Sequence, residues 1–292
     1  MFWPMAHRLE FSEFTFGFAL TENFGRLGSV KAVPIFPSLI DEGKKGGGFD
    51  VAMHTGGELP LLLQFKVPQV VNRRSALMPS GFPRPYYRAH LRCRPNDDGY
   101  SQHSVLLEHE RNGHDVYYAT PRFHQLSQLD ALFMDGQVVA QSAFFRPGDV
   151  GDVSDEPHHV AYCAETDDGW LRSDPVKLPH PVNANVFLSR LQEKLVATAK
   201  APMEFDAILE SLVMAAERGV ARSQEHARAL GGPFKDRLKS RAAPNVRRLP
   251  PRVVADRLRE GRTPRVAAAL FARLWLDSEL LVVVAGAKSL KA

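Results

Sequence analysis

Phe49-Asp50-Val51-Ala52-Met53-His54-Thr55-Gly56-Gly57-Glu58-Leu59-Pro60-Leu61-Leu62-Leu63-Gln64-Phe65-Lys66-Val67 is the stretch on which the fold reading turns. Gly56-Gly57 divides it into two β-type runs, residues 49–55 and 59–67, and such a joint is a strong hairpin signal. In the second run, alternation sends Leu61, Leu63, Phe65 and Val67 to one face and Leu62, Gln64 and Lys66 to the other. Gln64 and Lys66 thus point the same way from an otherwise apolar strand. A lysine inside such a run is costly to bury unless something nearby compensates it. Asp50 lies on the partner run, so a hairpin would bring Asp50, Gln64 and Lys66 to one spot.

Upstream, residues 11–24 repeat apolar positions at helical spacing, with Ser12 where an N-cap belongs. Downstream, residues 86–94 alternate as a third strand. Residues 101–112 read as a helix stopped by Gly113, and residues 116–119 as a short strand ending at Pro121. The expected order is therefore helix, strand, strand, strand, helix, strand. A short helix follows at 126–134, then strands at 138–145 and 159–163. Composition changes near residues 179–181. Beyond it, helices are expected at 184–199, 203–218, 223–230, 253–260 and 265–276, and residues 280–284 as a strand returning to a sheet. The fold class expected is α/β, with a core over residues 1–180 and a basic, mainly helical region over 181–292.

The composition fits that division. Of 292 residues, 44% are hydrophobic and 24% charged, the balance of a globular chain. Residues 1–180 carry 17 Lys+Arg against 22 Asp+Glu, whereas residues 181–292 carry 20 against 11. The basic final third is either a polyanion-facing surface or a set of solvated helix faces. Cys93 and Cys163 are too few for a disulfide framework or a CxxC zinc site, which favours a reducing compartment. No apolar run approaches the roughly 18 residues of a membrane helix. A cytoplasmic protein without membrane contact is expected.

Gln-x-Lys alone is a common pattern, and the second half of the motif also matches at Glu42-Gly43-Lys44 and Gln192-Glu193-Lys194. Only Gln64-Phe65-Lys66 falls in an apolar strand preceded by a strand that carries an acid. With that element order, the stretch resembles the PD-(D/E)xK nuclease superfamily, in the branch where Gln replaces the second acid. The likeness covers about residues 10–121. It implies a restriction-endonuclease-like mixed sheet flanked by helices, with Asp50 a metal ligand and Gln64 a weaker one through its amide oxygen. Lys66 would position or deprotonate the attacking water, and Glu13 or Glu22 of the first helix would complete the site. The implied cofactor is Mg²⁺ or Mn²⁺. The implied partner is nucleic acid, DNA first, beside a homodimer or a companion protein of bacterial defence against foreign DNA. Two positions depart from the family: Phe49 stands where Pro is frequent, and Gln102 lacks the Tyr four residues on that one branch carries.

Residue chemistry agrees, because phosphodiester hydrolysis uses a hard cation on oxygen ligands and a lysine where negative charge develops. The plainer alternatives are Asp50 capping a Gly-rich loop and Lys66 snorkelling at a sheet edge. Arg73, Arg74, Arg84, Arg88 and Arg92, with Tyr86 and Tyr87 among them, form a basic group suited to phosphates and bases, or else a charged edge strand. Gln102 and His103 begin the second helix and are candidates to face the site. The other histidines show no ligand spacing. Two further functions remain open: a non-catalytic nucleic-acid-binding protein on the same fold, and an unrelated metabolic or interaction protein.

Overall fold

A computed structural model describes residues 9–27, 58–72, 78, 82–93, 101–153, 158–171, 176–198, 205–229, 250–260 and 279–284. Helix α1 spans Glu13–Leu27, and the Ser12 hydroxyl accepts from the Thr15 amide at 3.0 Å, as its capping position requires. Strand β1 (Glu58–Phe65) is followed by β2 (Gln69–Val71), β3 (Tyr86–Leu91), α2 (Gln102–Arg111) and β4 (Asp115–Pro121). Next come α3 (Leu126–Met134), β5 (Ser142–Phe145), α4 (Pro147–Val150), β6 (His158–Cys163), β7 (Gly169–Leu171) and β8 (Val176–Lys177). Helices α5 (Ala184–Thr198), α6 (Phe205–Ala229) and α7 (Pro251–Arg259) precede β9 (Glu279–Val284).

These elements form a mixed α/β structure with two sheets. One sheet runs β5-β4-β1-β9 and the other β2-β3-β6-β7-β8. In the first, β1 pairs parallel with β4 through residues 61–65 and antiparallel with β9 through residues 58–63. Helix α2 lies between β1 and β4 in sequence, so a helical crossover joins the parallel pair, as parallel pairing demands. The expected hairpin is corrected here. Residues 49–55, Asp50 included, lie outside the described residues, and over residues 61–63 both edges of β1 are taken, one by β4 and the other by β9.

Alternation along β1 is as expected. Phe65 meets Phe16 of α1 edge-on, with ring centroids 5.8 Å apart. On the same face, Tyr117 (paired with Leu63) packs edge-on against Phe187 of α5, which stacks on Phe144 at 4.0 Å. A Cβ at Gly17 would stand 2.5 Å from the Phe65 ring, so only glycine lets α1 lie this close to β1. Burying an aromatic ring such as Phe65 stabilises by roughly 2–3 kcal/mol. The opposite face, with Gln64 and its neighbour Tyr118, turns toward α2.

The elements beyond residue 181 complete this core. Phe187, Ile208, Leu212 and Ala255 belong to the same buried cluster as Phe16, Phe65 and Tyr118. The amide of Phe144 donates to the carbonyl of Val182, extending the edge at β5. Residues 203–218 and 223–230 were expected as two helices, but α6 runs unbroken through Gly219. The glycine serves packing: its Cβ would sit 3.0 Å from the Val105 Cα on α2. Gly219→Val should therefore push α6 off α2 and lower stability by about 1–3 kcal/mol. Urea unfolding of the variant checks this, and an unchanged midpoint would count against the close contact.

Candidate functional site

Lys66 follows β1 directly, and its amide still donates to the Ala119 carbonyl at 3.0 Å, holding it in register with β4. Its side chain is 5% exposed and that of Gln64 is 3% exposed. Both project toward the start of α2, where they meet Gln102. The Lys66 Nζ donates to Gln102 Oε1 at 3.3 Å, and Gln102 Nε2 donates to Gln64 Oε1 at 2.6 Å. The Gln64 Nε2 in turn donates to the Phe65 carbonyl at 3.2 Å. Each amide thereby has one orientation that satisfies both ends, and the ammonium sets the direction of the chain.

Lys66 is not a snorkelling lysine, because it is buried and its ammonium is held by Gln102. Its partner Gln102 is fixed at the helix start. Ser101 caps α2 by accepting from the Ser104 amide, and the His103 amide donates to the Arg92 carbonyl. These bonds tie the end of β3 to the beginning of α2 beside Lys66.

His103 lies behind the site, in the interior. It stacks on Tyr118, its Nδ1 lies 2.9 Å from the Tyr118 hydroxyl, and its Nε2 lies 2.8 Å from the Gly151 carbonyl. A carbonyl can only accept, so Nε2 carries the proton and Nδ1 accepts from Tyr118 in the neutral ring. Burial pushes its pKa down from 6.5 to about 4. His109 is also held well below its ordinary value, by burial first and then by His114.

The remaining expected residues divide. Glu22 pairs with Arg26 at 2.5 Å, near the Phe133 carbonyl that Arg26 also reaches. It therefore does not join Gln64 and Lys66. Glu13, half-buried in the first turn of α1, belongs to the helix packed on the Phe65 face, opposite Gln64. Among the described residues no group of three His, Cys, Asp or Glu side chains could hold a metal. Arg73 and Arg74 lie outside the described residues. Arg84 and Arg92 are exposed, whereas Arg88 is half-buried and donates to Gln69 on β2. Tyr86 and Tyr87 are buried, so the expectation that they stack on bases is corrected. Tyr87 instead stacks on Tyr162, with centroids 5.6 Å apart.

His90 was not singled out in the sequence, although alternation alone places it between Arg88 and Arg92 on one face of β3. Partial burial, then Lys66, Arg92 and Arg88, lower its pKa, while a backbone hydrogen bond at His158 opposes them. Lys66, Arg92 and Arg88 thus all lie near enough to His90 to oppose its protonation.

Two tests follow from this geometry. Gln102→Leu removes an acceptor from Lys66 and a donor from Gln64 and should cost about 1–3 kcal/mol, read as a lower urea midpoint with an unchanged slope. For His103 the sign is set by the unfolded chain, which takes up a proton below about 6.5 while the folded ring stays neutral to about 4. Stability should fall across that window by a total on the order of 3 kcal/mol. Urea unfolding at several pH values from 7.5 to 4.5 checks it, with His103→Gln flattening the dependence.

No family model, curated protein or solved structure matches this chain.

Proposed function

We propose that the chain is a metal-dependent nuclease acting on DNA, with Asp50, Gln64 and Lys66 as its working residues. The observation that carries this reading is the convergence of Gln64, Lys66 and Gln102 where the middle strand of a mixed sheet meets the start of the crossover helix. Lys66 and the positive end of the α2 dipole both favour negative charge between them. A phosphodiester group would supply it. The parallel β1–β4 pair joined through α2 is consistent with a restriction-endonuclease-like core, as the order of elements in the sequence implies.

The donor set was weighed against the implied Mg²⁺ or Mn²⁺. Gln64 Oε1 is a hard oxygen with one lone pair given to Gln102 and a second left for a cation. One neutral oxygen makes no site, so the carboxylate of Asp50 is required; Glu13, on the helix packed against the opposite face of β1, and Glu22, paired with Arg26, stand apart from it. The bound ion would supply an activated water and charge neutralisation at the scissile phosphate. Gln102 keeps the Gln64 oxygen turned outward from its own amide and holds the Lys66 ammonium beside it. Lys66 would then hold the attacked phosphate or the water, with its proton available at Nζ. The defence setting, with a homodimer or companion protein, belongs to this same proposal.

A second reading has its own support. Gln64 Oε1 is already engaged by Gln102, and an amide oxygen brings a metal no charge. Both facts favour a nucleic-acid-binding protein on this fold without catalysis.

Supercoiled plasmid incubated with the full chain and Mg²⁺, Mn²⁺ or EDTA separates the two. The nuclease reading expects cleavage that EDTA stops, and a loss of about 100-fold or more in Lys66→Met and Asp50→Ala. Methionine keeps the buried stem of Lys66 while removing its charge, so folding should survive. Gln64→Glu adds a charged ligand and should retain activity. Undiminished cleavage by Lys66→Met, or cleavage in EDTA, would remove the assignment. Binding without cleavage would leave the second reading.

A further inference from the structure

The five-stranded sheet has an inner and an outer face. Tyr87, Ala89 and Leu91 of β3, with Val160 and Tyr162 of β6, turn inward and are buried. On the outer face the register runs Gln69, Arg88, Ala161, Trp170, Lys177 across all five strands. One step along, His90 stands opposite His159, with ring centroids 4.9 Å apart. Arg92 comes two positions after His90 and is exposed. Trp170 and His159 are half-buried, so each ring keeps part of its surface in solvent.

This pattern has a chemical meaning. Tyr86, Ala161 and Cys163 on this face are buried under Val71, Met78 and Phe82, so the surface left open beside them is the flat ledge of the half-exposed Trp170 indole. The His90–His159 pair offers a second ledge near Arg92. Unpaired bases stack on such rings, whereas bases in a duplex present only their edges. Guanidinium groups fit phosphate oxygens two at a time. Asp168, which precedes β7, pairs with Lys177 at 2.8 Å at the far end of this row. The cationic side lies toward β3, where Arg88, Arg92 and Lys66 all act on His90.

We propose that the outer face of this sheet binds single-stranded nucleic acid, with bases on Trp170 and the His90–His159 pair and phosphates on Arg88 and Arg92. The strand then runs toward Lys66. This rests on the nucleic-acid reading above and extends it by naming the form of the substrate and where it lies. Charge complementarity decides the occupant: an apolar peptide offers no anion to these guanidinium groups, and a duplex offers the rings no base face to stack on.

The test uses the full chain in EDTA with a fluorescein-labelled single-stranded oligonucleotide of about 20 thymidines, and a blunt mixed-sequence duplex of the same length. Anisotropy should show tighter binding to the single strand. Trp170→Ala should weaken that binding by about tenfold, and Trp170→Phe should restore most of it. Arg92→Gln, at an exposed position, should weaken binding and lower the slope of log affinity against log salt by about one. Equal or tighter duplex binding, or wild-type affinity in both Trp170→Ala and Arg92→Gln, would overturn the proposal. If Trp170→Ala fails to fold, Arg92→Gln and the preference for the single strand over the duplex carry the decision. Adding Mg²⁺ to the same samples separates the two ideas. Binding that follows this pattern without cleavage removes the nuclease reading alone. Cleavage with unaltered KM in Arg92→Gln and Trp170→Ala, and no single-strand preference, removes this inference alone.

Discussion

An ammonium group buried at the end of an apolar interior strand is the constraint from which the rest of the site follows. Desolvating Lys66 costs several kcal/mol unless the lost water is replaced. The residue is almost wholly buried, so bulk water does not supply that replacement. The positive end of α2 adds to the difficulty, because a cation is disfavoured there. The oxygen of Gln102 is one answer the structure provides, and accepting from Lys66 forces its amide nitrogen toward Gln64. A charge that needed solvating has thereby fixed two neutral side chains.

The same constraint explains why the end of β3 sits where it does. The His103 amide needs an acceptor at the helix start and takes the Arg92 carbonyl. That bond brings the second sheet against the first, and with it the face carrying Arg88, His90 and Arg92. The basic surface and the buried lysine are therefore parts of one construction. His103 itself contributes from below as a neutral ring between Tyr118 and Gly151, a role that depends on its remaining uncharged.

Much of the local structure was legible in the chain because its causes are local. Ser12 and Ser101 announce helix starts through their capping oxygens, and α3 falls at residues 126–134 as its periodicity indicates. The shared face of Gln64 and Lys66 follows from alternation, and Gln102 was visible as a helix-start residue able to face them. What was not legible depends on distant partners. Nothing within residues 49–67 says that β9 takes the edge of β1, so a good hairpin signal gave the wrong neighbour. Tyr86 and Tyr87 look like surface aromatics among arginines until β6 and the loop at Phe82 cover them. Trp170 lies on a three-residue strand, too short for any period to show. Gly219 reads as a break because the reason for it, the backbone of Val105, is more than a hundred residues away.

The pairing of β1 with β9 bears on how the molecule comes to be folded. Leu61, Leu62 and Leu63 form an uncharged, apolar strand of the kind that recruits other strands when its edge is open. In the finished sheet β4 covers one edge and β9 the other. The second cover joins Glu58 to Val284, across about three-quarters of the chain, and closure over such a separation is slow. During synthesis β1 leaves the ribosome long before β9 exists. Throughout that interval its leucines present an unguarded edge, and any chain stalled before β9 keeps it open. Yield of intact protein should then depend on whatever shields that strand in the meantime, a demand on the cell rather than on the folded state.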